Sequence, residues 1–260
     1  MLITLVLPPA VLLVYAKKNK GKRVISAWLL GAAGFFVTQI LIRVPILTVL
    51  QSSPAFMAFS TNHVFLFTFT LAFTAGLFEL AGRFAVARLM GKNLTYQRSI
   101  AAGLGHGGIE AMVIVGSTYL SNILFIFMIN GGTFDALVAE TAKSGTDVSA
   151  LWQLKATLIE SSPALFLLGI YERILAMVCH LGMSFMVSYG VRRGNPWKAS
   201  LVCLGIHTLI DLSAGLNVLV GTVLTQTAAY VIIYTLLTAA AAASVLIILN
   251  IRRRWQESEV

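Results

Sequence analysis

Gly105-His106-Gly107-Gly108-Ile109-Glu110 stands inside an apolar run at about 100–129. An apolar stretch longer than about 18 residues reads as a membrane-spanning helix. A histidine and a glutamate are expensive there. A charge at mid-bilayer costs about 2.5–3.5 kcal/mol even on the lenient insertion scale. On a helix, His106 and Glu110 lie one turn apart and share a face. An ionisable pair on one face of a span marks a functional site and calls for polar partners on neighbouring spans.

The composition agrees with a membrane location. Of 260 residues, 58% are hydrophobic and 11% are charged, which would leave a soluble domain with too apolar a surface. The apolar runs are long and continuous, so they read as helices rather than as the alternating strands of a barrel. The net charge of +9 would suggest nucleic acid for a soluble chain. Here the basic residues fall in short loops between spans, where they set topology, and no nucleic-acid partner is expected. Cys179 and Cys203 both fall inside apolar runs, which excludes a disulfide framework or a zinc knuckle and suggests core packing.

Seven spans are expected, at about 2–16, 24–50, 61–89, 100–129, 164–190, 200–222 and 226–249. The first is followed, not preceded, by Lys17, Lys18, Lys20, Lys22 and Arg23, so it reads as a span rather than a secretory signal. Basic residues cluster after spans one, three, five and seven, while the opposite loops hold Lys143 and Lys155. The positive-inside rule then puts the N-terminus outside and the C-terminus inside. Arg43, near the outer end of span two, is expected to snorkel to the interface. The acidic segment 130–162 is expected to form one or two short amphipathic helices at the outer surface, and His63 to be interfacial. No separate soluble domain is expected. Residues 1–260 read as one all-α, polytopic membrane domain, with a core at about 61–222.

Further polar residues interrupt the spans. Glu79 and Arg83 form an i,i+4 pair on span three, in the favourable order. Glu172, Arg173 and His180 lie on span five, and His207 and Asp211 are again i,i+4 on span six. Arg173 points away from His180 and is free to neutralise a carboxylate on a neighbouring span. Asp211 is placed to orient a histidine. Each pair also has a purely structural reading, as neutralised or hydrogen-bonded glue between helices. Depth argues for a shared site. Counted from the inner ends of their spans, Glu79, His106, Glu110, His180, His207 and Asp211 all fall at roughly 9–18 Å. The glycines at 103, 105, 107 and 108 allow close helix approach and are expected to leave room beside His106 for substrate or water.

Two chemistries suit such a layer. In one, His106, His180 and His207 bind Zn²⁺ with a water in the fourth position, and Glu110 takes its proton. In the other, without metal, a buried glutamate activates water and histidines donate to the oxyanion. The chain has no motif with two histidines flanking a glutamate on one helix. Ser117, Ser184 and Ser213 lie in no nucleophile-elbow context.

These motifs, Glu79-x-x-x-Arg83, Gly-His106-Gly-Gly-x-Glu110, Glu172-Arg173 with His180, and His207-x-x-x-Asp211, resemble the YhfC-type intramembrane metalloprotease family. That family is similar to the CAAX prenyl endopeptidases, the bacteriocin self-immunity proteases, the PrsW-type proteases and the seven-span scaffold subunit of gamma-secretase. The resemblance covers about 61–222 and implies hydrolysis of a membrane-embedded or lipid-anchored peptide in a bacterial plasma membrane. It also implies Glu79, Arg83, Glu110, Glu172 and Asp211 as catalytic residues. One position departs from the related pattern: Phe78 stands where CAAX-type enzymes carry the general base. Either Glu110 takes that role, or the site is arranged differently, or the protein is not a protease. A proton- or cation-coupled transporter and a helix-binding scaffold are the alternative functions.

Overall fold

The computed structural model describes residues 2–216, 220 and 223–257. Those residues are overwhelmingly helical. In chain order the helices are α1 (Leu2–Leu5), α2 (Leu7–Lys18), α3 (Val24–Phe35), α4 (Val44–Gln51), α5 (Pro54–Asn62), α6 (Val64–Met90), α7 (Tyr96–Glu110), α8 (Ser117–Asn130), α9 (Phe134–Lys143), α10 (Ser149–Glu160), α11 (Pro163–Arg192), α12 (Pro196–Ala214) and α13 (Gln226–Glu257). Two π-helical segments interrupt long spans: Phe36–Arg43 joins α3 to α4, and Ala111–Gly116 joins α7 to α8. The first has a visible cause. Pro45 has no N–H to return to the carbonyl of Leu41, and the ladder widens just before it.

Five stretches are long and apolar enough to cross a bilayer: Val24–Gln51, Val64–Asn93, Tyr96–Asn130, Leu167–Arg192 and Gln226–Trp255. The other two expected spans are less regular. The first is broken at Val6 into α1 and α2, with proline in the first turn of α2. The sixth is α12, made less apolar by Lys198, His207 and Asp211, and its expected end near 222 lies outside the described residues. The acidic segment holds two helices, α9 and α10, tied by an ion pair between Lys155 and Asp135. His63 is exposed at the junction of α5 and α6.

Packing rather than hydrophobic expulsion holds such helices together, because lipid is as apolar as their side chains. The closest crossing is α3 on α7. A Cβ added at Gly31 would lie 1.9 Å from the carbonyl oxygen of Ala102, and one at Gly105 would lie 2.0 Å from that of Trp28. Backbone touches backbone at both points, which only glycine permits. Near the chain's C-terminal end, Trp255 stacks on Phe185 with ring centroids 5.4 Å apart, while the Arg192 guanidinium lies 5.0 Å from the Trp255 ring. That cluster fixes the end of α13 against α11. Helices α6, α7, α11 and α12 thus surround one polar centre.

Arg43 does not snorkel. Its Nη2 donates to the carbonyl of Leu71 at 2.7 Å, and its guanidinium also reaches Thr74 Oγ1 at 3.3 and 3.4 Å. The Leu71 carbonyl, which also accepts from Thr74 Oγ1 at 3.1 Å, and the Thr74 hydroxyl give the guanidinium acceptors on α6, so the side chain turns into the bundle.

Candidate active site

Glu79 is the hub of that centre. It is 4% exposed and Arg83, one turn on, is 3% exposed. A buried charge is tolerable only when paired and hydrogen-bonded. Arg83 Nη2 donates to Glu79 Oε2 at 2.9 Å, as the i,i+4 spacing predicts. Arg83 Nε donates to Ser184 Oγ on α11 at 3.3 Å.

Three histidines from three other helices converge on the same carboxylate oxygen. His106 Nε2 on α7 lies 3.0 Å from Glu79 Oε2, His207 Nε2 on α12 at 2.9 Å, and His180 Nδ1 on α11 at 3.5 Å. With Arg83, four nitrogens crowd one oxygen, more than its lone pairs can serve. His106 donates along its ring N–H and makes a true hydrogen bond. Neither ring nitrogen of His207 has a hydrogen-bonding partner among the described residues, despite the close approach to Glu79 and a 3.3 Å approach of Nδ1 to Asp211 Oδ2. Short contacts out of hydrogen-bond alignment mark a set of lone-pair donors gathered around a point rather than a relaxed hydrogen-bond network.

The tautomer of His180 follows from its neighbours. Arg83 Nη2 has only protons to offer and lies 2.7 Å from His180 Nδ1, so that nitrogen accepts. The ring proton then sits on Nε2, which faces Glu110 Oε2 at 2.8 Å. Glu110 in turn lies 4.0 Å from Arg173 Nη1, and Arg173 is tightly paired with Glu172. The expectation that Arg173 would neutralise a carboxylate on another span holds for Glu110. Two guanidiniums, those of Arg83 and Arg173, therefore pair with three carboxylates, those of Glu79, Glu110 and Glu172, while Asp211 faces His207.

On one side this layer opens. A cavity of about 380 Å³ lies between the end of α7 and α11, α12 and α13, and Glu110, Glu172, Arg173, His180 and Asp211 form its polar wall. Tyr230 and Tyr234 of α13 face them. Glu79, His106 and His207 stand behind that wall, so His180 links the enclosed half of the site to the open half.

The donor set suits a metal ion. Ligand atoms of Glu79, His106 and His180 all lie within 4.8 Å of one another. Ligands of tetrahedral zinc are about 3.4 Å apart, given bonds of about 2.0–2.1 Å, so a small contraction would close the group. Two imidazoles and one carboxylate are a known zinc-binding set with a position left for water. The sequence pointed to His106, His180 and His207 instead. In the structure Glu79 belongs to the close group, and His207 stands outside it, against Glu79 and Asp211.

One further expectation changes. The glycines of α7 leave no space beside His106. A Cβ at Gly107 would lie 2.9 Å from His180 Cβ, one at Gly103 would lie 2.9 Å from Leu181, and one at Gly108 would lie 3.0 Å from Pro8. They bring α2, α3 and α11 close, and the open volume is on the far side of His180. The serines are committed elsewhere: Ser117 and Ser213 donate to the backbone carbonyls of Val113 and Ile210, and Ser184 accepts from Arg83.

Sequence reasoning also missed Gln39. It is 4% exposed, in the first π segment, and its Nε2 donates to Glu79 Oε1 at 2.9 Å. The signal was present: Gln39 and Arg43 are a polar i,i+4 pair inside an apolar span, like the pairs that were recognised.

Fold and site together define a polytopic helical protein integral to the membrane, with a buried histidine–carboxylate centre beside a polar cavity. The chain belongs to the YhfC intramembrane metalloprotease family, whose pattern matches residues 3–235. A relative from Bacillus subtilis (strain 168), named "Uncharacterized membrane protein YhfC", is 31% identical over 211 residues, spanning 79% of this chain and 78% of its own. No solved structure matches. The apolar helices and this relative make the protein an integral component of a bacterial plasma membrane.

Proposed function

We propose that the protein is an intramembrane metalloprotease that hydrolyses a peptide bond of a membrane-embedded or lipid-anchored substrate. One observation carries the reading: three histidines on three helices gather at Glu79, directly behind a cavity whose wall holds Glu110. Glu79, His106 and His180 would hold Zn²⁺. When bound, the ion would lower the pKa of a bound water to about 7 and polarise the scissile carbonyl.

The remaining chemistry belongs to the chain. Glu110 Oε2 lies 2.8 Å from His180 Nε2 and favours the ring proton there, as carboxylates behind zinc-bound histidines do, so the lone pair is on Nδ1, which faces Glu79 and Arg83. Glu110 also lines the cavity, where it is placed to take the proton of the attacking water. Arg83 balances the charge of Glu79, and Asp211 stands 3.3 Å from His207 Nδ1, where a small turn of the ring would let it orient His207. Glu172 and Arg173 offer one acceptor and one donor group to the peptide at the cavity wall. By the distribution of basic residues, the chain crosses the membrane seven times with its N-terminus outside, which puts the cleavage in the cytoplasmic half.

The test is metal analysis of the purified protein together with processing of a reconstituted substrate. About one zinc per chain, lost in His180→Ala, and loss of processing in both His180→Ala and Glu110→Gln are the expected results. A wild-type protein that binds no zinc, or full processing by both variants, overturns the reading.

A further inference from the structure

We propose that Gln39 is the positioning residue for Glu79, and that the first π segment exists to present it. This inference rests on the metal-binding reading of Glu79. The geometry is fully determined. Gln39 Nε2 has two protons. One goes to the carbonyl of Ala75 at 3.2 Å and the other to Glu79 Oε1 at 2.9 Å. Its Oε1 accepts from Arg43 Nη1 at 3.4 Å. A flipped amide would set its oxygen against two acceptors and its NH₂ against a guanidinium, so only one orientation is tenable.

Arg43 is itself anchored. It bonds the carbonyl of Leu71 at 2.7 Å and Thr74 Oγ1 at 3.3 Å. Leu71, Ala75 and Glu79 follow one another at four-residue steps, so they form one face of α6. Arg43 and Gln39 thus run along that face and end on the carboxylate. The consequence falls on Glu79. With Oε1 tied to Gln39, rotation about the carboxylate is fixed and Oε2 is turned to His106, His180, His207 and Arg83. A carboxylate free to rotate would spread its two oxygens over the same nitrogens and lose the common point on which the histidines converge. Outer hydrogen bonds of this kind are worth about 10- to 100-fold in metal affinity. Gln39 touches neither the cavity nor the proposed ligand nitrogens, so its effect passes through Glu79.

The experiment compares Gln39→Met, which keeps length and removes the donor, with Gln39→Glu, which keeps shape and sets acceptor against acceptor. Zinc affinity is read by competition with a chromophoric chelator, and the melting temperature of the zinc-free protein is read alongside. Both variants are expected to bind zinc about 10- to 100-fold more weakly, a loss larger than the drop in zinc-free melting temperature that unpairing buried groups brings by itself. In a Glu79→Gln background, Gln39→Met should weaken binding no further. If either variant binds zinc as the wild type does, or if Gln39→Met weakens binding equally in the Glu79→Gln background, the positioning role is wrong. A wild type without zinc affinity overturns the metal reading, and this role with it. A wild type that binds zinc beside an unaffected Gln39→Glu overturns this role alone.

Discussion

His180 bridges the two buried glutamates: its Nδ1 lies 3.5 Å from Glu79 Oε2 and its Nε2 lies 2.8 Å from Glu110 Oε2. One ring therefore joins the enclosed half of the site to the cavity. Removing it should uncouple them. His180→Ala is expected to abolish zinc binding, and His180→Gln, which keeps a polar group, should not restore it. Metal content of the purified variants checks this, and stoichiometric zinc in His180→Ala would contradict it.

Glu79 and Arg83 are a buried pair, so removing one partner should cost more than removing both. Glu79→Gln leaves the guanidinium uncompensated, with an expected loss of about 3–5 kcal/mol. Adding Arg83→Met should return much of it. Unfolding in mixed micelles measures both, and equal instability of the single and double variants would show that the pair is not the source.

Gly107 separates packing from chemistry. Its added Cβ would meet His180 Cβ at 2.9 Å, whereas at Gly205 nothing lies within 4 Å. Gly107→Ala should displace His180 and weaken zinc binding by more than its effect on stability predicts. Gly205→Ala should stay within about 0.5 kcal/mol of the wild type. Similar zinc affinity in the two variants would argue against a tight seat for His180.

Zinc that binds the folded chain alone must stabilise it. At a free concentration of about 100 times Kd the gain is about 2.7 kcal/mol, and a chelator should remove it. A melting curve indifferent to chelator in a zinc-loaded preparation would mean that the ion sits elsewhere or weakly.

Orientation can be read with an impermeant maleimide. Cys179 and Cys203 are 1% and 0% exposed, so background labelling should be low. Ser144→Cys should label from outside intact cells, while Lys20→Cys and Arg193→Cys should label only after permeabilisation. The opposite pattern would invert the topology.

The sequence carried much of this site because intramembrane charge is rare enough to count. Glu79, Arg83, His106, Glu110, His180, His207 and Asp211 were all legible, and the structure brings each into contact with another member of the set. What it hid is instructive. Gln39 is uncharged and so raised no alarm in an apolar span. Arg43 was assigned to the interface because snorkelling is the usual fate of a basic residue near a span's end, whereas here the carbonyl of Leu71 is within reach. The glycines of α7 gave the close approach correctly but not its side: they face α2, α3 and α11, and the cavity lies beyond His180. Spacing gives a residue's face on its own helix. It does not say which neighbour covers that face.

The widened turn at Ala111–Gly116 begins at the residue after Glu110. A turn of about 4.4 residues in place of 3.6 shifts the helical phase, so a wheel drawn through 96–130 with a uniform step assigns the wrong side to everything past Glu110. The two halves of this span are thereby released from a common register. The half bearing His106 and Glu110 can keep its angular setting against α3 and α11 while the half in α8 meets lipid on its own terms. Six residues at about 82° each lag an α-helix by about one residue's 100°, so a one-residue deletion within 111–116 would let the segment close to ordinary α-helix with both flanks keeping their settings, whereas the same deletion elsewhere in the span would swing one half against the other.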